Sequence, residues 1–561
     1  MNILGLSCYY HDSAAALVRD GEVLAAAQEE RFNREKYSAD FPSRAINYCL
    51  QSAGLTMLDV DAVAFYEKPY LKFSRILTGH LKAWPFSLRN FMETTPLWLR
   101  ERLSLPVTIN RELAYSGETL FIKHHLAHAA SSFLVSPFEE AAILTVDGVG
   151  ESATTTYGCG RGKDIKILGE VRYPDSIGLL YAIVTTYLGF PVFAGEGKVM
   201  GLAATGEPRF LDKFREVLAL RPDGSFRLNP DYFTFNRGDR MYGRRFTELF
   251  GPERKPGEEL QERHRDIAAS LQRCTEEALL AMARHAHAVT GLDRLCLAGG
   301  VFLNCTANAR LLGETPFKEI YIQPAAGDAG GALGAAVYAY HLLSGKPRSH
   351  ALEHPYLGPE LNQARAERLL ANAGLKFTKL SDEELPRRTA QLLAAGKIVG
   401  WVQGRMEFGP RALGNRSILA DPRDPGMWEN LNVKVKAREP FRPYAPAVQE
   451  ERAAEYFDLK APSPFMLLAA PVREGKAQVI PAVTHADGSA RMQTVSRRTN
   501  PRFWELIGAF GEITGVPVLL NTSFNLRDEP MVCGPEDAIL DFQRSRMDCL
   551  VLGNLLAERE T

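Results

Sequence analysis

The clearest candidate for chemistry is a histidine pair in the segment FIKHHLAHAASSF, in which His124 and His128 stand four residues apart. If the segment is helical, positions i and i+4 lie on one face about 5–6 Å apart, so two imidazoles can share one cation. His125 occupies the position that holds a glutamate in zinc proteases, which disfavours that class. Chance also produces this spacing, so a metal site and a helix with packed histidines both stay open.

A third ligand must come from elsewhere in the chain, and Asp328 in PAAGDAGGALGAA is the best candidate. It follows a predicted strand, stands in a glycine-rich loop and precedes a predicted helix, so its alternative role is to cap that helix. Two histidines and one carboxylate with open positions suit a divalent first-row metal, and iron(II) is a strong candidate.

Three glycine-containing segments in the same half, LAGGVFLN, TVDGVGE and GEGKVMGLA, predict contacts with phosphate or nucleotide. Backbone without Cβ atoms lets a nucleotide approach closely, and a helix N-terminus attracts negative charge. The candidate residues are Gly299, Gly300, Asn304, Asp147, Gly148 and Lys198. Each segment has an alternative interpretation. For LAGGVFLN it is an ordinary strand-to-helix turn, for TVDGVGE an Asp-Gly hairpin, and for GEGKVMGLA a solvated loop.

The residues around these candidates predict alternating strands and helices. NILGLS, AAALV and EVLAAAQ predict a three-strand meander with an Asp-Gly hairpin, followed by a helix near residues 43–54. Residues 141–171 repeat the pattern of strand, turn, strand, turn and strand, which suggests an internal duplication. A long helix near 258–290 then precedes two units of strand, loop and helix.

A cluster of proline, glycine and polar residues in SGKPRSHALEHPYLGPE marks a domain boundary. We therefore expect one domain over residues 1–345, a linker over 346–360 and a second domain over 361–561. A length of 561 residues is too great for one hydrophobic core, in agreement with this division.

The composition limits the classes of function. A formal charge of -1 gives no basic footprint, which argues against nucleic acid as the main partner. Eight cysteines without a C-x-x-C pair suit a reducing compartment, not a disulfide frame or a zinc ribbon. The N-terminus lacks a basic signal-peptide region, and no apolar run reaches the roughly 18 residues of a membrane span. We expect a cytoplasmic protein that does not enter the membrane.

The second half contains a basic segment over residues 405–442, with eight arginines or lysines against five acids. Guanidinium groups beside glycine and proline turns match phosphate and carbamoyl oxygens, although charged residues more often form a solvated surface. Later, Arg491 follows a glycine-containing turn in HADGSARMQTV. In VPVLLNTSFNLRDEP a predicted strand, Val516–Leu520, ends at polar residues that either bind a ligand or cap a turn.

The segments HHLAHAASSF, TVDGVGE, GEGKVMGLAATGEP, LAGGVFLNCTAN and GDAGGALGAA together resemble the NodU/CmcH family of O-carbamoyltransferases. The first half also resembles, more distantly, the TsaD-type subunit that makes threonylcarbamoyl-adenosine in tRNA. The resemblance implies an α/β fold, with an actin/hexokinase-like (ASKHA) duplicated-lobe domain followed by a YrdC-like domain. It also implies that His124, His128 and Asp328 hold a metal, usually iron, against nucleotide phosphates.

For the second domain, the resemblance implies that ATP and carbamoyl phosphate react there to give carbamoyl-adenylate. It assigns this reaction to Arg411, Lys436, Arg491 and Ser523. Further residues that it places near the substrates are Asn415, Arg416, Asn521, Arg527 and Lys36. For Lys36, in RFNREKYS, a surface lysine is the alternative.

The acceptor hydroxyl needs a base, and His11 in YYHDSAA is the leading candidate. Histidine titrates near neutrality, and the family has a similar His-Asp pair at the end of its first strand. Asp12 either orients this histidine or caps the turn. A role of His11 in positioning the substrate is the alternative.

We therefore predict an ATP-dependent O-carbamoyltransferase that uses carbamoyl phosphate, ATP and a small hydroxylated natural-product acceptor. One alternative is an ASKHA-type small-molecule kinase, in which the second domain would have no clear role. A tRNA threonylcarbamoyl-type modification enzyme is another, and the near-neutral charge disfavours it. The aromatic and basic stretch over residues 71–113 either covers the acceptor or forms an oligomer contact, for which a homodimer is the simplest arrangement.

Overall fold

A computed structural model describes residues 1–98, 103–235 and 240–559, which group into two compact units. The first unit comprises Met1–Ala25 and Ala39–Leu352. The second comprises Ala26–Ser38 and the chain from Glu353 onward. Both units contain helices and β-sheets, so the α/β fold class is confirmed.

Two five-stranded sheets form the framework of the first unit, and a two-stranded ribbon accompanies them. Their strands are β1 (Asn2–Ser7), β2 (Ala14–Arg19), β3 (Glu22–Gln28), β4 (Ala62–Phe65), β5 (Glu118–Phe121), β6 (Glu140–Val146), β7 (Ala153–Arg161), β8 (Asp164–Arg172), β9 (Leu218–Leu220), β10 (Phe226–Leu228), β11 (Arg294–Ala298) and β12 (Glu319–Ile322). The ribbon is formed by β9 and β10.

The two sheets repeat one plan, which confirms the predicted duplication. The first has the order β3-β2-β1-β4-β5 and the second β8-β7-β6-β11-β12. In each, the first strand pairs antiparallel with the second and parallel with a later strand. The predicted hairpin between β2 and β3 turns at Asp20 and Gly21, whose φ angles of 51° and 90° fit the turn that an Asp-Gly pair favours.

Helices lie between these strands along the chain. In the N-terminal part of the chain they are α1 (Glu30–Asn33), α2 (Ser43–Ser52), α3 (Pro69–Lys82), α4 (Leu88–Leu97), α5 (Leu105–Leu113), α6 (His124–Phe133), α7 (Ile177–Tyr187), α8 (Glu196–Ala203), α9 (Leu211–Val217), α10 (Arg244–Phe250), α11 (Glu262–Thr290), α12 (Cys305–Glu314) and α13 (Asp328–Ser344). The helices predicted near 43–54 and 258–290 are present as α2 and α11. Part of the predicted 71–113 stretch, residues 99–102, lies outside the described residues.

Helix α13 belongs to the core of the first unit. Its residues are mostly small and apolar on all sides of the helix, and most of its length is buried. At Gly334 it lies so close to α6 that an added Cβ would stand 1.9 Å from the carbonyl oxygen of Ala127. This close approach fixes the position of α13 relative to α6, the helix that carries the histidine pair.

The second unit is built on an eight-stranded mixed sheet of order β13-β22-β21-β14-β15-β20-β16-β19. Its strands, with those of a small ribbon, are β13 (Phe377–Lys379), β14 (Val399–Val402), β15 (Arg416–Ala420), β16 (Ala445–Gln449), β17 (Ala470–Pro471), β18 (Ser489–Ala490), β19 (Gln493–Val495), β20 (Val518–Ser523), β21 (Cys549–Leu552) and β22 (Leu555–Glu558). The helices are α14 (Gln363–Asn372), α15 (Glu384–Ala394), α16 (Met427–Leu431), α17 (Pro501–Thr514) and α18 (Pro535–Arg544).

The segment Ala26–Ser38 groups with the second unit, whereas the sequence analysis assigned all of residues 1–345 to the first domain. Arg34 donates hydrogen bonds to the carbonyl oxygens of Met531 (2.7 Å) and Pro530 (3.0 Å). Phe32 packs against an apolar cluster that includes Met531. These contacts join residues almost 500 positions apart, and no local pattern in the sequence indicates them.

Two further elements differ from the predictions. GEGKVMGLA, which we predicted to be a loop, forms α8. Strand β20 extends through Ser523, so Asn521 and Ser523 lie within the strand and not beyond its end. None of the helices in the described part of the chain combines the length and apolar character needed to cross a bilayer.

Candidate metal centre and cation cluster

The predicted helix for the histidine pair is present as α6, which begins at His124. His124 and His128 share one face, and their Nε2 atoms lie 3.1 Å apart. Both side chains are buried. Two imidazole nitrogens that face each other in a buried site need a proton or a cation between them, because each neutral nitrogen without hydrogen is an acceptor only.

Two carboxylates lie next to this pair. Asp147, just after β6, places its Oδ2 atom 3.0 Å from Nε2 of His124 and 3.4 Å from Nε2 of His128. Asp328, the first residue of α13, places Oδ1 3.8 Å and 3.6 Å from the same two nitrogens. One ligand atom from each of the four residues lies within 4.8 Å of the other three.

The four residues fit a divalent first-row metal ion. Imidazole and carboxylate together suit this class of ion, and the four atoms converge on one point. Among the described residues, Oδ1 of Asp328 has no hydrogen-bond partner although it is buried. Burial opposes ionisation of Asp147, but His124 and His128 hold the pKa of its carboxyl well below the usual value. Two imidazoles and two carboxylates in this arrangement can coordinate a cation.

Asp147 therefore has a position that the sequence analysis did not assign to it. We predicted contact with a nucleotide, whereas Oδ2 belongs to the four-residue cluster. Its Oδ1 accepts a hydrogen bond from the backbone N–H of Gly300 at 3.2 Å. The strand order explains this second contact. Strands β6 and β11 are parallel neighbours, so the residues that follow their carboxyl ends lie at the same edge of the sheet.

The third histidine, His125, has a structural role. Its Nδ1 lies 2.7 Å from the Thr145 hydroxyl, and Nε2 lies 3.0 Å from the carbonyl oxygen of Ala153. Burial, together with the neighbouring His124 and His128, lowers the pKa of His125 to about 3. The side chain is thus a neutral, hydrogen-bonded core residue.

His11 and Asp12 adjoin the cluster. Nδ1 of His11 lies 2.9 Å from Oδ2 of Asp12, and its Nε2 lies 3.7 Å from Oδ2 of Asp328. Burial opposes protonation, but Asp328 and Asp12 outweigh it and raise the pKa of His11 to about 9. The structure therefore brings the predicted base to the candidate metal centre.

The two glycines of LAGGVFLN have a steric role. Gly299 adopts φ of 101°, and an added Cβ would lie 2.2 Å from the carbonyl oxygen of Val146. Only glycine can occupy that position, and it brings Gly300 within hydrogen-bonding distance of Asp147. The carbonyl oxygen of Gly148 accepts a hydrogen bond from Ser176 at 2.7 Å.

Two other predicted nucleotide contacts have local roles as well. Asn304 caps α12 by accepting a hydrogen bond from the N–H of Ala307, and it exchanges hydrogen bonds with Gln272. Lys198 lies on α8, half-buried, with its Nζ 5.9 Å from the ring centre of Phe190. The helical position of Lys198 differs from the glycine loop predicted for it.

In the second unit, Lys436 lies at the end of a π-helical turn, Asn432–Lys436, that continues α16. Such turns are rare and often mark functional sites. The buried Nζ donates hydrogen bonds to the backbone oxygens of Ser523 and Asn525 and to the Asn525 side chain. Within the described residues its hydrogen-bond partners are all neutral oxygens.

Other cations surround Lys436. Burial, and then the charges of Arg438, Arg442 and Lys36, hold the pKa of Lys436 well below its usual range. Burial, with Arg442 and Arg491 acting against the favourable Tyr444, lowers the pKa of Arg438 to about 10. We call Lys36, Lys436, Arg438, Arg442 and Arg491 the cation cluster. Lys436 is buried, the three arginines are half-buried, and Lys36 is exposed. A group of like charges of this kind favours an anion, because an anion removes their mutual repulsion.

Two of the remaining residues predicted near the substrates, Asn415 and Arg416, are held by hydrogen bonds within the protein. Arg416 is fully buried, and its guanidinium donates hydrogen bonds to backbone carbonyls such as those of Cys533 and Pro359. Asn415 is held by Arg405 and Asn500. These bonds give Arg416 and Asn415 a role in holding the framework, and their contact with substrate stays a prediction.

Four other predicted residues have the following positions. Ser523 donates a hydrogen bond to Oδ1 of Asn525 at 2.6 Å, beside Lys436. Asn521 is buried and donates to Ala412 and Gln493. Arg527 is exposed and pairs with its neighbour Asp528. Arg411 is half-buried in the loop between β14 and β15.

Comparisons with known proteins identify the family of both parts of the chain. Residues 2–337 match the family described as carbamoyltransferase N-terminus, and residues 390–559 match the family described as carbamoyltransferase C-terminus. The chain therefore belongs to the carbamoyltransferase family, and it is a transferase.

Several relatives are similar over nearly their whole length. An uncharacterized protein of Synechocystis sp. is 47% identical over 591 aligned positions, which cover 99% of this chain and 96% of that protein. The nodulation protein NolNO of Sinorhizobium fredii is 42% identical over 562 positions, covering 99% and 80%. Nodulation protein U of Rhizobium tropici is 32% identical over 560 positions, covering 94% and 91%.

Solved structures are only distantly similar. Component A of (R)-2-hydroxyglutaryl-CoA dehydratase from Acidaminococcus fermentans has a TM-score of 0.34 and 14% identity, covering 61% of this chain and 99% of that one. The ROK hexokinase from Thermus thermophilus has a TM-score of 0.29 and 16% identity, covering 62% and 100%. These values are too low to carry an argument about function.

Proposed function

We propose that this carbamoyltransferase uses ATP and carbamoyl phosphate to form carbamoyl-adenylate in the second unit. The carbamoyl group then passes to a hydroxyl of a small acceptor at the four-residue centre of the first unit. The observation that carries the proposal is the cation cluster, in which the buried Lys436 is surrounded by like charges and hydrogen-bonded to neutral oxygens. Two polyanionic substrates, ATP and carbamoyl phosphate, match this charge.

In the first half-reaction, water releases carbamate and phosphate from carbamoyl phosphate. A carbamate oxygen then bonds to the α-phosphorus of ATP, and pyrophosphate leaves with the electron pair of the broken P–O bond. The cation cluster balances the negative charge that develops on the phosphates, and Ser523 beside Lys436 is placed to orient them. Fixed charges of this kind stabilise the transition state because they need no reorganisation.

In the second half-reaction, the acceptor oxygen bonds to the carbamoyl carbon, and AMP leaves with the electron pair of the carbon–oxygen bond. Nε2 of His11 accepts the acceptor proton, while Asp12 holds Nδ1 of the same ring. Because Asp328 raises the pKa of His11, this histidine accepts a proton only when the charge of Asp328 is compensated. A divalent ion, which we propose to be iron(II), would supply Lewis acidity when bound by His124, His128, Asp147 and Asp328.

The nucleotide product tests the proposal. Purified protein incubated with ATP, carbamoyl phosphate, iron(II) and a mixture of hydroxylated metabolites is expected to yield AMP, pyrophosphate and a product heavier by one carbamoyl group. ADP as the sole nucleotide product would support a kinase instead. Metal analysis of protein purified without air tests the identity of the ion, for which we expect iron.

A further inference from the structure

A carboxylate beside His11 has one oxygen without a hydrogen-bond partner. Glu196 is the first residue of α8, and its Oε1 accepts a hydrogen bond from the backbone N–H of Phe193 at 3.1 Å. The other oxygen, Oε2, is shielded from solvent and has no hydrogen-bond partner among the described residues. Burial raises the pKa of the Glu196 carboxyl, and His11 acts against this shift. Phe193 links the two side chains, because its N–H donates to Glu196 and its ring packs against that of His11.

The unpaired Oε2 atom of Glu196 needs a physical explanation. Buried polar atoms are almost always paired, because leaving one unpaired loses its interaction with water without replacement. Glu196 plays no part in the four-residue centre. Its free oxygen is explained if a bound molecule supplies the missing donor.

Phe193 provides a second, independent observation. Its φ of 67° lies in the left-handed region, which is unusual for a residue with a side chain. Its ring centre lies 4.3 Å from that of His11, yet the residue is 43% exposed. Strained residues of this type persist where the surroundings hold them in place, and they are concentrated at ligand sites. The hydrogen bond to Glu196 is such a restraint.

We propose that Glu196 is a positioning residue for the acceptor. Oε2 accepts a hydrogen bond from a second donor group of the acceptor, either a hydroxyl or an ammonium. The reacting hydroxyl then faces His11, and the carbon skeleton lies on the exposed face of Phe193. The chemical class of acceptor is therefore an alcohol that carries another hydrogen-bond donor close to the reacting hydroxyl. This inference rests on the proposed transfer reaction.

A matched pair of probes tests it. 2-Methoxyethanol has one hydroxyl and no second donor, whereas either hydroxyl of ethane-1,2-diol can react while the other acts as donor. The two equivalent hydroxyls alone favour the diol by a statistical factor of about two. For the wild type we expect kcat/KM for carbamoyl transfer to be about tenfold or more higher with the diol, the factor typical of a hydrogen bond to a charged group. For Glu196→Ala the ratio should fall close to the statistical value of about two, and for Glu196→Gln it should be intermediate.

Controls separate positioning from folding and from the first half-reaction. Glu248→Gln, at an exposed position on α10, should keep the wild-type ratio. All variants should exchange labelled pyrophosphate into ATP, in a reaction dependent on carbamoyl phosphate, at the wild-type rate in the absence of acceptor. Glu196→Gln serves as the folded variant if Glu196→Ala does not fold, as judged by thermal unfolding.

The inference is overturned if the wild type transfers equally well to both probes or if both variants keep its preference. It is also overturned if the wild type transfers to neither probe while it still exchanges pyrophosphate into ATP, and in that case the proposed function survives. Absence of AMP and pyrophosphate with every variant would instead remove the proposed function itself.

Discussion

At the scale of single residues, we propose Lys436 as the main anion-binding group, because it is buried and the charges of neighbouring cations act on it. We expect Lys436→Met to lower the rate of AMP formation by a factor on the order of 10²–10³, the usual loss for a preorganised charge. The melting temperature should not fall, since burial disfavours the ammonium group. Steady-state AMP release and thermal unfolding measure both effects.

Lys434→Met is the matched control, because Lys434 lies on the same π-helical turn but outside the cation cluster. It should retain wild-type AMP formation. Equal losses in the two variants would indicate that the turn itself, and not the Lys436 charge, is required.

A second residue predicts how stability depends on pH. Burial and the neighbouring Glu529 raise the pKa of Asp541 from 3.8 to about 7. The folded state therefore binds more protons than the unfolded state between these values, and stability declines as the pH rises from about 4 to about 7. We expect Asp541→Asn to remove part of this decline, on the order of 1–3 kcal/mol. Melting curves of both proteins from pH 4.5 to 7.5 measure the difference, and a constant offset between them would contradict it.

Residue types and spacing predicted three of the four members of the candidate metal centre. His124 and His128 share one helix, so the interval of four residues was sufficient. Asp147 lies next to them only because β6 ends beside α6, a tertiary arrangement that local spacing does not encode. The charge of Arg416 predicted substrate contact, and its full burial among backbone carbonyls is a tertiary feature that the local sequence does not encode.

At the scale of elements, the crossing of α6 and α13 holds the histidines against Asp328. We expect Gly334→Ala to destabilise the protein by about 1–3 kcal/mol, because the new Cβ would meet the carbonyl oxygen of Ala127. The helices should move apart, so the affinity for a divalent ion should fall as well. Denaturant unfolding and metal titration measure the two effects.

Gly197→Ala, in α8, is the control for stability, since an added Cβ there meets no atom within 4 Å. It should be neutral or slightly stabilising, because alanine favours helix over glycine. If Gly334→Ala bound the metal as well as the wild type, the helix crossing would not determine the geometry of the centre.

Regular elements were predictable because their hydrophobic periods are local. The meanders and α11 followed from alternation and helical spacing. Helix α8 was missed because its glycines resemble a loop, and its packing overrides that local preference.

At the scale of the whole chain, the second unit is formed by two separate stretches of sequence. We expect a fragment of residues 353–561 to melt about 5 °C or more below the same fragment fused to residues 26–38 through a flexible linker. The reason is that Arg31 and Arg34 donate to backbone carbonyls of the later stretch, among them Gly409 and Met531. Calorimetry of the two fragments measures the difference.

A fusion with Arg31→Ala and Arg34→Ala is the control, and it should lose most of the gain. Equal melting temperatures for all three fragments would show that residues 353–561 fold without the early segment. The sequence could not predict this arrangement, because the contacts join positions hundreds of residues apart and leave no periodic pattern.

We propose that adenylate formation and carbamoyl transfer occur at different sites of one chain. Exchange of labelled pyrophosphate into ATP, dependent on carbamoyl phosphate, measures adenylate formation alone. We predict that Asp328→Asn retains this exchange but transfers no carbamoyl group to any acceptor, while Lys436→Met loses both. Loss of the exchange in Asp328→Asn, with a native melting curve, would contradict the separation of the two reactions.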